Sequence, residues 1–418
     1  MDLAIPDRVA ALSALVRNRL ALALAVVVAV SGGIAALTIV SWNSSWHDVG
    51  LASSIQGTFN SVSCSTAGAC IAVGARCSSC RNPYGKSWPL VESAEVSGGP
   101  WNVAALPAGA GGYGQLLASQ CMQDSCFVAG YSCSAACGSV SAVLHPLLLS
   151  ERSGIWRTAV SGALARTRGA LLALGCAGNG CMAAGWSGTS PFAFAWNGHS
   201  WSAASSGLAG SHAYLTSVSC LAPSQCWAAG SVFSTHSGIP VAVLMHWNGH
   251  FWSDRSLSSL IPQSSASSAV TALYCGKGAC MLLGTNCTTG CSTVGALTST
   301  WGARYHAGVW RLVPVQEIPV GTPLLPESVS CVSASSCWGV GYAVGYASMA
   351  PNGLYPELLL YWNGTAWQER TAENVHTTVV GLSSVACTTA GSCYAVGGQL
   401  KQHAEGPVAG YSLLEEVG

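Results

Sequence analysis

The sequence predicts an all-β protein, a seven-bladed β-propeller preceded by a single transmembrane helix. Two repeated features carry the propeller prediction: a cysteine pair spaced Cys-x4–5-Cys occurs seven times, and a tryptophan recurs in the same phase of each repeat. The repeat averages about 53 residues, a length typical of propellers and solenoids. The tripeptide Trp-Asn-Gly closes three of the repeats, and Asn-Gly between apolar runs is a strong hairpin pattern.

The composition permits a large core and predicts a surface with little charge. Half of the 418 residues are hydrophobic and only 8% are charged, compared with about 25% in an ordinary globular protein. The exposed surface is therefore expected to consist mainly of Ser, Thr, Gly, Asn and Ala. Sixteen basic residues balance sixteen acidic ones, so the chain lacks the basic charge typical of proteins that bind nucleic acid.

Residues 20–40 form an apolar stretch of 21 positions without a charge. This length is sufficient to cross a bilayer as a helix. Arg8, Arg17 and Arg19 precede the stretch, and no Lys or Arg follows it until Arg76. Because cytoplasmic flanks carry the excess of basic residues, the segment is expected to act as a signal-anchor helix with the repeats outside the membrane.

The domain organisation follows from this orientation. Residues 1–19 are expected to form a short cytoplasmic terminus, and residues 41–418 an extracytoplasmic propeller held at the cell membrane by a single pass. A cleaved signal peptide is the alternative, with residues 20–29 as its apolar core and Ala29-Val30-Ser31 as its cleavage motif. Both interpretations export the repeats.

One repeat, beginning with a short strand at Trp201, illustrates the predicted blade. Apolar and polar residues alternate over 215–220, which is the pattern of a half-buried strand. Apolar runs follow at 226–233 and 240–247, and the turn Asn248-Gly249 ends the unit. Four short strands joined by turns are typical of a propeller blade.

The two ends of the repeat region are complementary. The last repeat stops after an apolar strand around 411–414 and before its expected tryptophan, whereas residues 41–50 contain Asn43 and Trp46 at the matching spacing. We therefore expect this N-terminal strand to complete the seventh blade. Ring closure of this kind leaves no long unpaired strand edge.

All twenty cysteines follow the apolar stretch, and an exported chain with an even number of cysteines predicts a disulfide framework. Facing residues of a hairpin lie at a distance close to disulfide geometry, which suits the seven repeated pairs. Three further pairs are expected to pin loops after the second strand. A zinc site and a redox Cys-x-x-Cys are the alternatives for these three, and a structural role is favoured because they belong to different repeats. The ten predicted disulfides join Cys64 with Cys70, Cys77 with Cys80, Cys121 with Cys126, Cys133 with Cys137, Cys176 with Cys181, Cys220 with Cys226, Cys275 with Cys280, Cys287 with Cys291, Cys331 with Cys337 and Cys387 with Cys393.

The repeated tryptophans and three histidines each have two interpretations. The tryptophans could stack on sugars or wedge each blade against its neighbour, and strict repetition favours packing. His199, His246 and His250 lie in or beside matching turns, where a solvated turn residue is favoured over a metal ligand because no carboxylate or cysteine clusters with them in the sequence. No metal or cofactor is predicted. The tryptophans are Trp46, Trp101, Trp156, Trp201, Trp252, Trp310 and Trp367.

Function is expected on the loops that follow the second strand of each blade. These loops are the most variable part of the repeats, and binding residues tend to lie on loops over a rigid scaffold. No catalytic motif occurs in a supporting context, so no catalytic residue is predicted. The candidate binding residues, whose alternative is ordinary solvated loop residues, are Arg76, Arg81, Tyr84, Tyr131, Arg304, Tyr305 and His306.

The repeats carry the pattern SVSC-x5-C-x-AVG, followed by WNG-x2-W, and match it most closely at 61–74 and 384–397. This pattern resembles a repeat of secreted and membrane-anchored proteins of high-GC bacteria. The resemblance covers 41–418 and implies a β-propeller. The proteins that carry this repeat are mostly without assigned activity. More loosely, residues 150–156 resemble the Asp-box turn of sialidase-type propellers, although Arg152 stands where the box has Asp and one residue is missing before the tryptophan.

These observations favour a membrane-anchored interaction module that serves as a scaffold for envelope proteins. A lectin-like binder of cell-wall glycans is the first alternative, because tryptophan and tyrosine on a neutral surface suit carbohydrate. A glycosidase is the second, and it requires two carboxylates about 5–10 Å apart. The acidic residues near suitable loops or strand ends are Glu92, Glu95, Glu151, Glu317, Glu327 and Glu357.

Overall fold

The regular structure of the chain is almost entirely β-strand, as predicted. Apart from two 3-10 turns, Ala108–Ala110 and Leu164–Arg166, the described residues form strands and connections. None of the described residues forms a helix capable of crossing a membrane, and the predicted span 20–40 lies outside them. The computed structural model describes residues 46–417 except 50–56, 67, 78–85, 96–98, 140, 161, 206, 209–211, 234–239, 256, 258–259, 262–266, 277–278, 288–296, 317–323, 344–356, 371–378, 390–391 and 404–405.

The described strands form seven sheets, and in each of them three consecutive strands are joined by antiparallel hairpins. The first of these three strands is the inner strand, and the strand that pairs antiparallel with the third is the outer strand. Sheets 1 to 3 contain β2 Gly57–Cys64, β3 Cys70–Cys77, β4 Ser87–Ala94 and β5 Asn102–Val103; β6 Gly114–Cys121, β7 Ser125–Cys133, β8 Leu144–Arg152 and β9 Ile155–Thr158; and β10 Ala170–Ala177, β11 Gly180–Ser187, β12 Ser190–Trp196 and β13 Trp201–Ala203.

Sheets 4 to 7 repeat this plan with two local differences. Sheet 6 gains a fifth strand, β22, which pairs in parallel with its outer strand, and sheet 7 takes its outer strand, β1, from near the start of the chain. These sheets contain β14 Ala213–Ala222, β15 Gln225–Phe233, β16 Pro240–Trp247 and β17 Trp252–Asp254; β18 Ser267–Gly276, β19 Ala279–Cys287, β20 Leu297–His306 and β21 Val309–Val313; β22 Val315–Gln316, β23 Leu324–Ser333, β24 Ser336–Ala343, β25 Glu357–Trp362 and β26 Trp367–Arg370; and β27 Val379–Thr389, β28 Ser392–His403, β29 Gly406–Val417 and β1 Trp46–Asp48.

The sequence repeat is offset by one strand from the sheets. The repeat that begins at Trp201 contributes β13 to sheet 3 and its remaining strands to sheet 4. At the chain ends the same offset pairs β1 with β29, with Trp46 opposite Val417. The offset arises because the outer strand follows its own hairpin turn, so the tryptophan that opens a repeat closes the preceding sheet.

The sheets are arranged in a cycle, which is the plan of a β-propeller. Each inner strand contacts the inner strands of the sheets before and after it, and β27 of sheet 7 contacts β2 of sheet 1. Every sheet has two ends, which we name by their contents. The cystine end carries the repeated cysteine pair and the turn before the outer strand, and the loop end carries the connection from the second to the third strand.

The seven repeated cysteine pairs are all bonded as predicted. In each sheet the bond joins the first strand to the second across their hairpin, and the two cysteines are partners in the strand register, as Cys220 and Cys226 are in sheet 4. The bonds join Cys64 with Cys70, Cys121 with Cys126, Cys176 with Cys181, Cys220 with Cys226, Cys275 with Cys280, Cys331 with Cys337, and Cys387 with Cys393.

The three predicted loop disulfides are described to different extents. Cys133 is bonded to Cys137 in the loop after β7, as predicted. Cys77 and Cys287 are also disulfide-bonded, whereas their predicted partners Cys80 and Cys291 lie outside the described residues. No free cysteine occurs in the described part of the chain.

The repeated tryptophans pack between sheets. The aromatic residue that follows the second cysteine of one sheet contacts the tryptophan of the next: the ring centroids of Phe127 and Trp201 are 5.4 Å apart, and those of Trp338 and Trp46 are also 5.4 Å apart. Six of the seven tryptophans are buried, and Trp310 is partly buried. The packing interpretation is therefore confirmed for the set.

The three Trp-Asn-Gly turns adopt one conformation. In the turn of sheet 4, the Oδ1 atom of Asn248 accepts hydrogen bonds from the backbone N–H groups of His250 and Phe251, both at 3.0 Å. Gly249 has a φ of 97°, a left-handed value that favours glycine. His250 is exposed on this turn, in agreement with its interpretation as a solvated turn residue.

Candidate functional site

The seven candidate binding residues do not form one face. Arg76 and Tyr131 lie near the loop end, on β3 and β7, and Arg81 and Tyr84 fall outside the described residues. The group from Arg304 to His306 lies at the opposite end, which corrects the sequence interpretation.

The register of sheet 5 explains this correction. Tyr305 is paired with Cys280, at the cystine end, so β20 runs the full height of the sheet. The residues from Arg304 to His306 therefore close the third strand instead of belonging to the loop that follows the second strand. The sequence prediction was wrong because no local pattern locates the start of β20 after Cys287.

Tyr305 takes part in an aromatic group between sheets 4 and 5. Its ring centroid is 5.0 Å from that of Trp227 and 5.3 Å from that of Trp310. The imidazole of His246 lies 4.5 Å from the Trp227 ring, and burial together with the nearby charge of Arg255 lowers the pKa of His246. The group forms part of the packing between the two sheets.

Tyr131 is buried although it lies near the loop end. Its hydroxyl donates a hydrogen bond to Oε1 of Gln115 at 3.3 Å, and burial raises the pKa of Tyr131 to about 12. The side chain therefore supports the inner part of sheet 2 and offers little surface to a partner.

A first group of accessible aromatic residues lies at the loop end of sheets 1 and 2. The guanidinium of Arg76 lies 5.7 Å from the ring centroid of Trp88, within the range of a cation–π contact. The Trp88 ring is in turn 5.7 Å from that of Tyr113, at the entry to sheet 2. Arg76 is exposed, and both rings are partly exposed. This trio, Arg76, Trp88 and Tyr113, is called the first aromatic group below.

A second group lies at the loop end of sheets 3 and 4. The ring of Trp186, near the end of β11, is 5.9 Å from that of Tyr214 on the inner strand β14. The Tyr214 ring is 5.5 Å from that of Phe233, the last residue of β15. All three are partly exposed. Trp186, Tyr214 and Phe233 form the second aromatic group.

Of these two groups only Arg76 is among the residues predicted from the sequence. When the repeats are compared with one another, one position varies widely in the size of its side chain. The position after the repeated glycine is small or polar in some repeats, as at Ala75 and Ser231, but aromatic at Tyr131 and Trp186. Tyr131 is buried at this position whereas Trp186 is partly exposed, so the sequence pattern by itself does not identify the accessible ring.

The acidic candidates lie in several sheets. Glu92 is buried on β4, facing the side of sheet 1 that packs against sheet 7. Glu151 lies at the cystine end of sheet 2, and Glu327 lies in the inner strand of sheet 6. Glu317 lies outside the described residues, and Glu95 is exposed after β4. Among the described residues no three His, Cys, Asp or Glu side chains are placed to hold a metal ion.

Comparisons with known proteins indicate the fold. No protein-family model matches the chain, and no curated protein matches it. A solved structure described as YCF48 bound to D1 peptide is similar, with 12% identity over 90% of this chain and 97% of that one and a TM-score of 0.51. At this identity the likeness extends to the propeller fold alone.

Two further solved structures match at lower similarity. A protein of unknown function from Dyadobacter fermentans shares 10% identity over 90% of this chain and 98% of its own, with a TM-score of 0.49. The Aleuria aurantia lectin, described as a six-bladed β-propeller with a novel fucose recognition mode, shares 11% identity over 76% and 95%, with a TM-score of 0.41.

Proposed function

We propose that this protein is a membrane-anchored, extracytoplasmic seven-bladed β-propeller that binds an envelope protein partner at its loop end. Three parts of this proposal have separate support: the number of blades, the anchor and the binding face.

The count of seven blades is supported by contacts that repeat around the cycle in one direction. The Oγ atom of Ser63 in sheet 1 accepts a hydrogen bond from the backbone N–H of Cys121 in sheet 2. In the same way, Ser384 of sheet 7 accepts from the N–H of Val62 in sheet 1. Sheet 7 therefore accepts a hydrogen bond from sheet 1 in the same way as sheet 1 accepts one from sheet 2. Because this contact closes the cycle, we infer that the seven sheets are the whole ring.

The anchor is supported by the apolar stretch of the sequence and by the disulfides. Residues 20–40 are long and apolar enough to span a bilayer, and the basic residues precede them. A framework of intrachain disulfides is typical of an oxidising compartment outside the cytoplasm. The proposed organisation is a cytoplasmic segment 1–19, a helix over 20–40 and a propeller over 41–418.

The binding face is supported by one observation: partly exposed aromatic rings and an exposed arginine gather at the loop end. Most other aromatic rings of the described residues are buried between sheets. Trp, Tyr and Arg are the residues most enriched at binding hot spots, because they combine large contact area with hydrogen-bonding groups. The similar YCF48 structure is described as bound to a peptide, a mode of binding that we propose here for a protein partner.

The test is a crosslinking pull-down from native membranes with paired variants. Trp88→Ser with Tyr113→Ser removes the first aromatic group, and Leu312→Ser changes an exposed apolar side chain of sheet 5 as the control. Loss of a hot spot should reduce recovery of the partner roughly tenfold or more, whereas the control should retain it. Equal recovery from both variants would remove the first aromatic group from the binding face, and equal recovery after Trp186→Ser with Tyr214→Ser as well would remove the loop end.

A glycan array distinguishes the main alternative. Retention on cell-wall glycans that is lost in the same double variant, with no protein partner recovered, would reassign the loop end to carbohydrate binding. A partner recovered by the wild type without glycan retention would support the scaffold role.

A further inference from the structure

The exposed apolar side chains of the described residues concentrate at one end of the molecule. Five of the six large ones lie within two residues of a repeated tryptophan, at or near the cystine end. Only Val241, near the start of β16, lies near the loop end. The five are Val103, Ile155, Phe251, Val309 and Leu312, with exposed fractions from 47% to 56%.

Three of these residues occupy the same place in their sheets. Ile155, Phe251 and Val309 each directly precede a repeated tryptophan and directly follow the turn before the outer strand. The Phe251 turn is held by Asn248, whose Oδ1 atom accepts the N–H of Phe251. The adjacent tryptophan, Trp252, is buried. The turn is therefore fixed, and Phe251 is exposed directly after it.

The position of the N-terminal strand relates this end to the proposed anchor. Trp46 begins β1 and is paired with Val417 at the cystine end of sheet 7. Residues 41–45 connect it to the apolar stretch 20–40, and five extended residues span at most about 17 Å. The anchor would therefore hold the cystine end close to the bilayer surface.

Charge does not explain why the cystine end would bind a membrane. Exposed basic side chains at or near it, such as Arg152 and Arg311, occur with exposed acidic ones, such as Asp124 and Asp254. Attraction to anionic headgroups needs an excess of Lys or Arg. Exposed apolar area is the feature that remains, and it favours the boundary between headgroups and acyl chains.

We infer that the cystine end rests on the lipid bilayer, with Ile155, Phe251 and Val309 inserted at its surface. The loop end then faces away from the membrane and is presented to envelope partners. This inference rests on the proposed anchor, and it adds the orientation of the propeller and a lipid-contacting surface.

Photocrosslinking in sheet 4 tests the orientation with a matched pair. Phe251 and Val241 are about equally exposed, at 48% and 51%, and lie near opposite ends of one sheet. Each is replaced in the full chain by p-benzoylphenylalanine, in separate variants, and irradiated in native membranes. We expect lipid adducts at position 251 at roughly fivefold or more the yield at position 241. Equal lipid yields, or adducts at 251 that are protein and not lipid, would overturn the inference.

An alkaline carbonate wash of the same membranes separates this result from the anchor. Protein that stays in the membrane but gives no excess of lipid adducts at position 251 contradicts the orientation and leaves the anchor intact. Protein that is washed off contradicts the anchor. In that case the released chain is irradiated with vesicles of phosphatidylethanolamine and phosphatidylglycerol, where adducts at 251 support the lipid-contacting surface and their absence overturns it.

Discussion

At the scale of single residues, the repeated glycine after each cysteine pair is explained by a close backbone approach. Every inner strand has an irregular register next to this glycine, as between Leu215 and Ser217 in sheet 4. A Cβ atom on Gly230 would lie 1.9 Å from the carbonyl oxygen of Tyr214, and one on Gly74 would lie 2.0 Å from that of Thr58. The bulge brings the two strands together, so only glycine fits.

Gly230→Ala should therefore destabilise the protein. The added methyl group meets backbone, which cannot rotate away, and overpacking of this kind costs about 1–3 kcal/mol or more. Thermal unfolding followed by circular dichroism measures the loss. The control is Gly112→Ala, where a Cβ atom meets nothing within 4 Å. Equal melting temperatures for both variants would contradict the explanation.

His246 predicts a pH dependence. Burial, and to a smaller extent Arg255, lowers the pKa of His246 below its ordinary value of 6.5. The unfolded chain then binds the proton more readily than the folded one, so stability is full above that value and falls as the pH drops below it. His246→Phe should weaken the decrease in melting temperature between neutral and mildly acidic pH. His250→Gln, on the exposed turn, should leave the decrease as in the wild type.

At the scale of elements, the serines of the inner strands fasten neighbouring sheets. Ser61 accepts the backbone N–H of Ser119 at 3.0 Å, and Ser63 accepts that of Cys121 at 2.8 Å. Ser330 accepts the N–H of Cys387 at 3.0 Å in the same manner. Adjacent inner strands belong to different sheets and do not pair with each other, so some of their backbone N–H groups need another acceptor. The serines of the SVSC motif supply that acceptor.

Ser63→Ala should lower stability by about 1–3 kcal/mol, because it leaves a buried N–H without an acceptor. Ser141→Ala, at an exposed loop position of sheet 2, is the matched control. Differential scanning calorimetry of the two variants checks the prediction. A control that loses as much stability as Ser63→Ala would show that the hydrogen bond from Cys121 to Ser63 makes no particular contribution to stability.

At the scale of the whole molecule, closure of the cycle depends on a strand distant in sequence. Trp46 is 1% exposed and packs against Trp338 of sheet 6. Trp101 and Tyr394 make the next contact of the cycle, between sheets 1 and 7, at 5.7 Å. Sheet 7 is thus built from both ends of the described chain and is the place where the ring is joined.

Trp46→Ala should consequently cost as much stability as loss of a core tryptophan elsewhere, about 3–5 kcal/mol. The comparison is Trp252→Ala, at the equivalent position of sheet 4 and 2% exposed. Similar decreases in melting temperature are expected for the two variants. A near-neutral Trp46→Ala would mean that β1 does not join the ring in solution.

The sequence alone determined the features whose contacts are short in range. The strands of one sheet are joined by hairpins, so the alternation from Leu215 to Cys220, the Asn248-Gly249 turn and the pairing of Cys220 with Cys226 could be inferred from neighbouring residues. Only the tertiary structure decided how the sheets meet, because Ser63 and its partner Cys121 are 58 residues apart. It also decided that Arg76 and Arg304 lie at opposite ends of their sheets. Strand register determines the end at which a side chain lies, and no local sequence pattern fixed that register across the loop before β20.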